Sequence, residues 1–188
     1  MACLPSSDAF LAASDEHLLS LHLQGQQAAF AELVRRYGPM VLRLMRRAGI
    51  SAQEADDRMQ DVFVLLHRHA ASFDPQRTLR PWLLTIAHNV KREHWRRLGR
   101  RPEEPLVLDG RLDPSVPPPD LRRRDAQRLL ERALKELPAG QRDVVELHWL
   151  AGLSMPDVAA TIGISLSAVK VRAHRAYKHM RAVLEQEA

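Results

Sequence analysis

Hydrophobic residues recur at three- and four-residue spacing along most of the chain, and no stretch alternates convincingly at period two. That pattern predicts an all-α protein. Residues 15–24 read as a short helix and residues 26–48 as a second one, bent or broken near Gly38-Pro39, because an interior proline removes a backbone donor. Ser51 and Glu54 form a capping box, S-A-Q-E, that starts a third helix running to about Ala70. A fourth runs from about Pro81, suited to a first turn, to Arg97. Further on, Asp125–Leu137 reads as a helix stopped by Pro138, and Gln141–Leu150 as the next, ended at Gly152. Ser154 is placed to cap another, with Asp157 three residues on and Pro156 in its first turn. Ser165 or Ser167 caps the last, which runs to about Leu184.

The periodicity lapses once. The segment 99–120, GRRPEEPLVLDGRLDPSVPPPD, holds six of the 12 prolines, and three in a row favour extended polyproline II structure. Structureless loops beyond about 12–15 residues are uncommon inside compact domains. The expected organisation is therefore two small helical domains, residues 15–98 and 125–188, joined by a Pro-rich linker over 99–124.

Charge then narrows the partner. The net charge is +5, which favours nucleic acid or a membrane surface. No apolar run approaches the roughly 18 residues needed to span a bilayer, so membrane insertion is not expected. The first residues lack the basic and apolar regions of a signal peptide, and the expected location is cytoplasmic. Cys3 is the single cysteine, which excludes an internal disulfide and a cysteine-based zinc site. The nine histidines include no i, i+4 pair, and neither a Gly-rich phosphate loop nor a nucleophile with a supporting base is identifiable. Neither cofactor nor metal is expected, and enzyme chemistry has no candidate residues.

Three surfaces carry candidate chemistry. From Val158 to Leu184 the chain runs 27 residues without an acid. In the last helix Val169, Ala173, Ala176, Met180 and Val183 form a stripe for burial. With the short helix and the Gly163-Ile164-Ser165 break before it, this is a helix-turn-helix pattern suited to the major groove. Ser167, Lys170, Val171, His174 and Arg175 are the base-facing candidates, while Arg172, Lys178 and Arg181 are placed to hold phosphates. A second basic concentration spans Arg77–Arg101, with one acid, Glu93, and with Trp82 and Trp95 interleaved. Aromatic rings among cations suit unpaired bases. Trp82 shares an apolar stripe with Leu83, Ile86 and Val90 and reads as core, whereas Trp95 sits among charges. Third, on the helix from Glu54, Ala55, Met59, Val62 and Leu66 form the stripe for burial. Asp57, Asp61, Val64 and Arg68, with Gln60 alongside, lie about 160° away. That acidic face is either an ordinary solvated surface or a dock for a basic protein partner.

Three strings, ADDRMQDVFVLLHRH (55–69), RPWLLTIAHNVKREHWRR (80–97) and LPAGQRDVVELHWLAGLSMPDVAATIGISLSAVKVRAHRAYKHMRAVL (137–184), together resemble the bacterial sigma factors, specifically the compact extracytoplasmic-function (ECF) group of the sigma-70 superfamily. The resemblance covers nearly all of the chain except residues 1–14 and the linker. It implies two domains, the second and fourth of the larger sigma factors, that bind core RNA polymerase and direct it to promoters. ADDRMQDVF matches the family's A-E-D-x-x-Q-E-x-F helix, which implies that Asp57, Gln60, Asp61 and Phe63 dock on the clamp coiled coil of the largest subunit. WLLTIAHNVKREHWRR is similar to the family segment that captures a flipped base of the minus-ten element and holds the opening strand. This implies Asn89, Lys91, Arg92, Trp95 and Arg96 as melting residues, with Ser72–Arg80 as the loop. The last string resembles the reader of the minus-thirty-five element, which also binds the flap tip of the other large subunit. The partners so implied are polymerase, double-stranded and melted promoter DNA, and an anti-sigma factor as regulator.

The sequence departs from the family pattern in places. Glu93 and His94 flank a position where Asp is usual. Ser167-Ala168-Val169-Lys170-Val171-Arg172 stands for Gly-Thr-Val-Lys-Ser-Arg, so Val171 replaces a small polar residue with one that can meet a thymine methyl. Read without the resemblance, the chain also fits a stand-alone helix-turn-helix regulator, which would find its operator without polymerase.

Overall fold

The computed structural model describes residues 7–99 and 121–186, and all regular structure among them is helical. The linker segment 100–120 and Cys3 lie outside the described residues. The chain divides into two compact units, Met1–Arg46 with Ser51–His94, and Arg47–Ile50 with Trp95–Ala188.

In the first unit α1 is Ser7–Ala12, α2 Asp15–Leu23, α3 Gln27–Arg47, α4 Ala52–His69 and α5 Leu79–Arg97, with a 3₁₀ turn at Ala70–Ser72; Arg47 at the end of α3 and Trp95–Arg97 at the end of α5 count with the second unit. Leu18, Leu19, Leu33, Val41, Met45, Val62, Leu66, Leu83 and Leu84 are buried, and they come from four helices whose apolar positions share one face each. The capping box forms as expected: Ser51 Oγ accepts from Glu54 N at 3.3 Å and donates to the Glu54 carboxylate. Ser14 caps α2 by accepting from His17 N at 3.2 Å.

Two features depart from the periodicity. α3 continues through Pro39 as one helix of 21 residues and is not broken at Gly38-Pro39. An interior proline costs roughly 3 kcal/mol. Leu33 and Tyr37 before it, and Val41, Leu44 and Met45 after it, are all buried, so packing on both sides holds the helix together. Gly38 is buried as well, at a place where an added Cβ would meet Met59 Sδ of α4 at 3.7 Å. The second departure is α1, which the periodicity did not predict. Its last carbonyls are gathered by one side chain. The Arg36 guanidinium donates to Phe10 O at 2.7 Å, Leu11 O at 3.0 Å and Ala13 O at 2.9 Å, and to Asp15 Oδ1 at 2.7 Å. Glu32 holds Arg36 in place at 2.8 Å and takes a forked pair of bonds from Arg35 at 2.7 Å each. The Tyr37 hydroxyl donates to the other oxygen of Asp15; burial, with that carboxylate beside it, raises the phenol above its usual value.

In the second unit α6 is Leu121–Glu136, α7 Ala139–Val145, α8 Met155–Ile162 and α9 Leu166–Gln186. α7 widens into a π-helical turn at Glu146–Leu150 and ends at Gly152, whose φ of 73° only glycine adopts without strain. Ala133, Leu134 and Leu137 pack with Val145 and with Ala176, Met180 and Val183 of α9. The α6–α7 corner is closed by Arg142, which donates to Leu134 O at 2.8 Å, Lys135 O at 2.8 Å and Leu137 O at 2.9 Å. Leu134 and Lys135 stand in the last turn of α6, where carbonyls lack a helical partner, and Leu134 O also accepts from Leu137 N at 3.3 Å.

Candidate nucleic-acid interface

The helix-turn-helix of the second unit is built as the sequence suggested. Ser154 starts α8 by accepting from Asp157 N at 3.2 Å, with Pro156 in the first turn. Gly163 ends it in the left-handed region, φ 72° and ψ 37°. Its N–H and that of Ile164 both reach Ala159 O, at 3.0 and 3.1 Å. Of the two candidate caps for α9, Ser165 is the one used, since its hydroxyl accepts from Ala168 N at 3.2 Å. Val169, Ala176, Met180 and Val183 are buried and fix the rotation of α9 about its axis.

That rotation leaves Ser167, Lys170, Val171, His174, Arg175 and Lys178 exposed on one side, where a major groove can receive them. Arg172 is placed differently. It is half-buried beside α7, where an added Cβ on Gly140 would come within 2.9 Å of its guanidinium. Gly140 thus leaves room for Arg172, a role that no motif announces. Arg181 pairs with Glu185 at 2.6 Å on the exposed surface of the same helix.

On α5 the melting candidates separate by helical phase. Asn89, Arg92 and Arg96, at i, i+3 and i+7, are exposed together. Lys91 and Trp95 are 6% and 4% exposed, on the side of α5 that carries buried Leu84, Ala87 and His88. The buried stripe therefore continues through residues normally counted as polar: His88, Lys91 and His94 are all buried. The imidazole of His94 is held below its usual pKa, chiefly by burial, while Glu54 favours its charged form. Trp82 is half-buried, its ring 5.1 Å from that of Phe73.

The loop before α5 is tied at both ends. Ser72 Oγ donates to His69 O at 2.7 Å, and Glu16 of α2 accepts from Leu79 N at 2.8 Å, capping α5 from a distant part of the chain. Asp74 accepts from Gln76 N at 3.0 Å and pairs with Arg77 at 3.4 Å. Asp74–Thr78 and Arg80 are exposed.

On α4 the acidic face exists. Asp57, Gln60, Val64 and Arg68 are exposed, and Asp61, half-exposed, pairs with Arg58 at 3.0 Å. Phe63 lies elsewhere on the helix. It is buried, and its ring meets that of Phe30 edge-on at 6.3 Å.

Comparison with known proteins decides between a sigma factor and a stand-alone regulator. Residues 33–101 match Sigma-70 region 2, and residues 127–180 match Sigma-70, region 4. The chain is 32% identical over 185 residues to the RNA polymerase sigma factor CnrH of Cupriavidus metallidurans, covering 93% of this chain and 96% of that one. The chain belongs to the extracytoplasmic-function sigma factors. The ECF sigma factor SigM of Mycobacterium tuberculosis is 32% identical over 173 residues, with 91% of this chain and 85% of that one covered. A solved structure of CnrH in complex with the cytosolic domain of CnrY superposes with a TM-score of 0.69 at 31% identity, over 94% of this chain and 100% of that one. As an ECF sigma factor the protein is a transcription initiation factor that binds core RNA polymerase and recognises promoters. The stand-alone regulator is not favoured, because the first unit matches a sigma region too. No helix among the described residues is long and apolar enough to cross a membrane.

Proposed function

We propose that this sigma factor divides its work among three faces and has no catalytic chemistry of its own. Asp57, Gln60 and Asp61, flanked by Val64, dock on the clamp coiled coil of the polymerase largest subunit, while Phe63 supports that face from within by packing on Phe30. Asn89, Arg92 and Arg96 hold the opening strand of the minus-ten element, with the exposed part of the Ser72–Arg80 loop receiving a flipped base. Lys91 and Trp95 act through the packing of α5 rather than by touching DNA. Ser167, Lys170, Val171, His174 and Arg175 read the minus-thirty-five element, Lys178 holds phosphate, and the flap tip is a further partner of the second unit. The two proposed domains, residues 15–98 and 125–188, are joined over 99–124, of which residues 121–124 already form the first turn of α6.

One observation carries the reading: a rotation of α9 fixed by buried Val169, Ala176, Met180 and Val183 presents an acid-free polar face, within a match to Sigma-70, region 4. An anti-sigma factor is the proposed regulator, as the relative CnrH was solved with the cytosolic domain of CnrY. The site of action is the cytoplasm, where polymerase and promoter are found.

Run-off transcription with core polymerase on a promoter pool tests the whole. The wild-type chain should yield products that need both proteins. Asp57→Arg should weaken core binding at least tenfold without changing thermal stability, since Asp57 is exposed. Absence of any polymerase-dependent product, or unchanged core affinity of the Asp57 variant, counts against the assignment.

A further inference from the structure

The reading face of α9 contains one side chain that cannot hydrogen-bond to anything. Val171 is 49% exposed, and it stands amid polar and charged neighbours on the same helix. Ser167 is four residues before it, His174 three after, Arg175 four after and Lys178 seven after, so all lie around it on the surface of α9. The helix is anchored by Val169, Ala176, Met180 and Val183 on another side, and Val171 adds nothing to that buried stripe. A β-branched residue is also a mediocre helix former. Neither folding nor core packing accounts for a valine here.

Its chemistry toward a major groove is narrow. Every base presents hydrogen-bonding groups there, and thymine alone adds a methyl group, at C5. A valine pressed against a polar edge removes water and returns no hydrogen bond, which is unfavourable. Pressed against the thymine methyl it buries apolar surface on both sides. Arg175, one helical turn further on, carries the fork that fits guanine O6 and N7. One turn rises about 5.4 Å, against roughly 3.4 Å per base-pair step.

The geometry points to Val171 as a specificity-determining residue that reads a thymine methyl in the minus-thirty-five element, within two base pairs of a guanine read by Arg175. This rests on the assignment of the second unit as the reader of that element. It adds the base class at one position of the site.

Replacing thymines by deoxyuridine, one at a time, removes the methyl and nothing else. On a promoter obtained from the selected pool, initiation with core polymerase and wild-type chain should fall roughly fourfold at one thymine, the worth of one buried methyl group. Val171→Ser should lower initiation on the unmodified template by a similar factor and show no further loss on the deoxyuridine template. Its unfolding temperature should match wild type, because the side chain is half-exposed. If no thymine in the element responds to loss of its methyl, or if the serine variant remains equally sensitive, the inference is overturned while the sigma assignment stands. If wild-type chain and core polymerase give no initiation on any promoter of the pool, it is the assignment of function that fails, and the inference falls with it.

Discussion

At the scale of single residues, the chain places charge where water is scarce and then satisfies it. Glu32 is buried, yet its carboxyl is held down at about 2, below an ordinary value of 4.5, by hydrogen bonds from Arg35 and then Arg36 that outweigh the effect of burial. A carboxyl whose folded pKa is depressed stabilises the fold fully above its unfolded pKa. That contribution is lost as pH falls from about 4.5 through about 2. Glu32→Gln keeps the shape and removes the charge. It should cost about 1.5–3 kcal/mol at neutral pH, the range for hydrogen bonds to charged groups. It should also flatten the loss of stability across that acid window, because the glutamine does not titrate. Urea unfolding at a series of pH values measures both, and parallel pH profiles for the two proteins would mean that Glu32 is not the linked group. Such residues are hard to read from sequence. Glu32 and Arg36 look like an exposed i, i+4 pair on a helix, and nothing local shows that Arg36 also collects two carbonyls of α1 and that of Ala13 just after it.

At the scale of elements, local signals were reliable where the physics is local. The capping box at Ser51 and Glu54, the Ser154 cap and the glycine end at Gly163 all formed where their residue types suggested. The helix-turn-helix face was legible for the same reason, since one buried stripe fixes what the opposite side exposes. What was not legible depends on distant partners. α3 runs through Pro39 because packing outweighs a missing bond, and α5 receives its N-terminal cap from Glu16, 63 residues earlier. The resemblance implies Lys91 and Trp95 as melting residues beside Asn89, Arg92 and Arg96, whereas helical phase puts both with buried Leu84 and His88. Phase was the available signal. Arg142 is the clearest case of an element held by one side chain, since it terminates α6 by bonding three carbonyls. Arg142→Ala should destabilise the second unit by about 1.5–3 kcal/mol, and Arg142→Lys should recover only part, because an ammonium lacks the planar fork. Hydrogen exchange would show the loss as lowered protection in α6 and α7. A uniform loss over both units, or none, would contradict a local capping role.

At the scale of the whole molecule, the chain matches two sigma regions, and each of its two units has its own buried residues. The acidic face of α4 belongs to the unit that carries Asn89 and Arg92, while the exposed polar face of α9 belongs to the other. Free energies of changes at well-separated sites with no shared partners add to within about 0.5 kcal/mol. Arg175→Ala should cost roughly 1–3 kcal/mol of promoter recognition if its guanidinium reads a base. That loss should vanish on promoters already altered at its base pair. Arg92→Ala, in the other unit, should instead slow open-complex formation on every promoter if that cation holds the opening strand, since it then acts after the minus-thirty-five element is bound. The double variant, measured with core polymerase on one promoter, should lose the sum of the two single losses. A double loss larger or smaller than the sum by more than about 1 kcal/mol would show that the two faces are energetically coupled. In that case minus-thirty-five recognition would be setting the rate of melting rather than only the address.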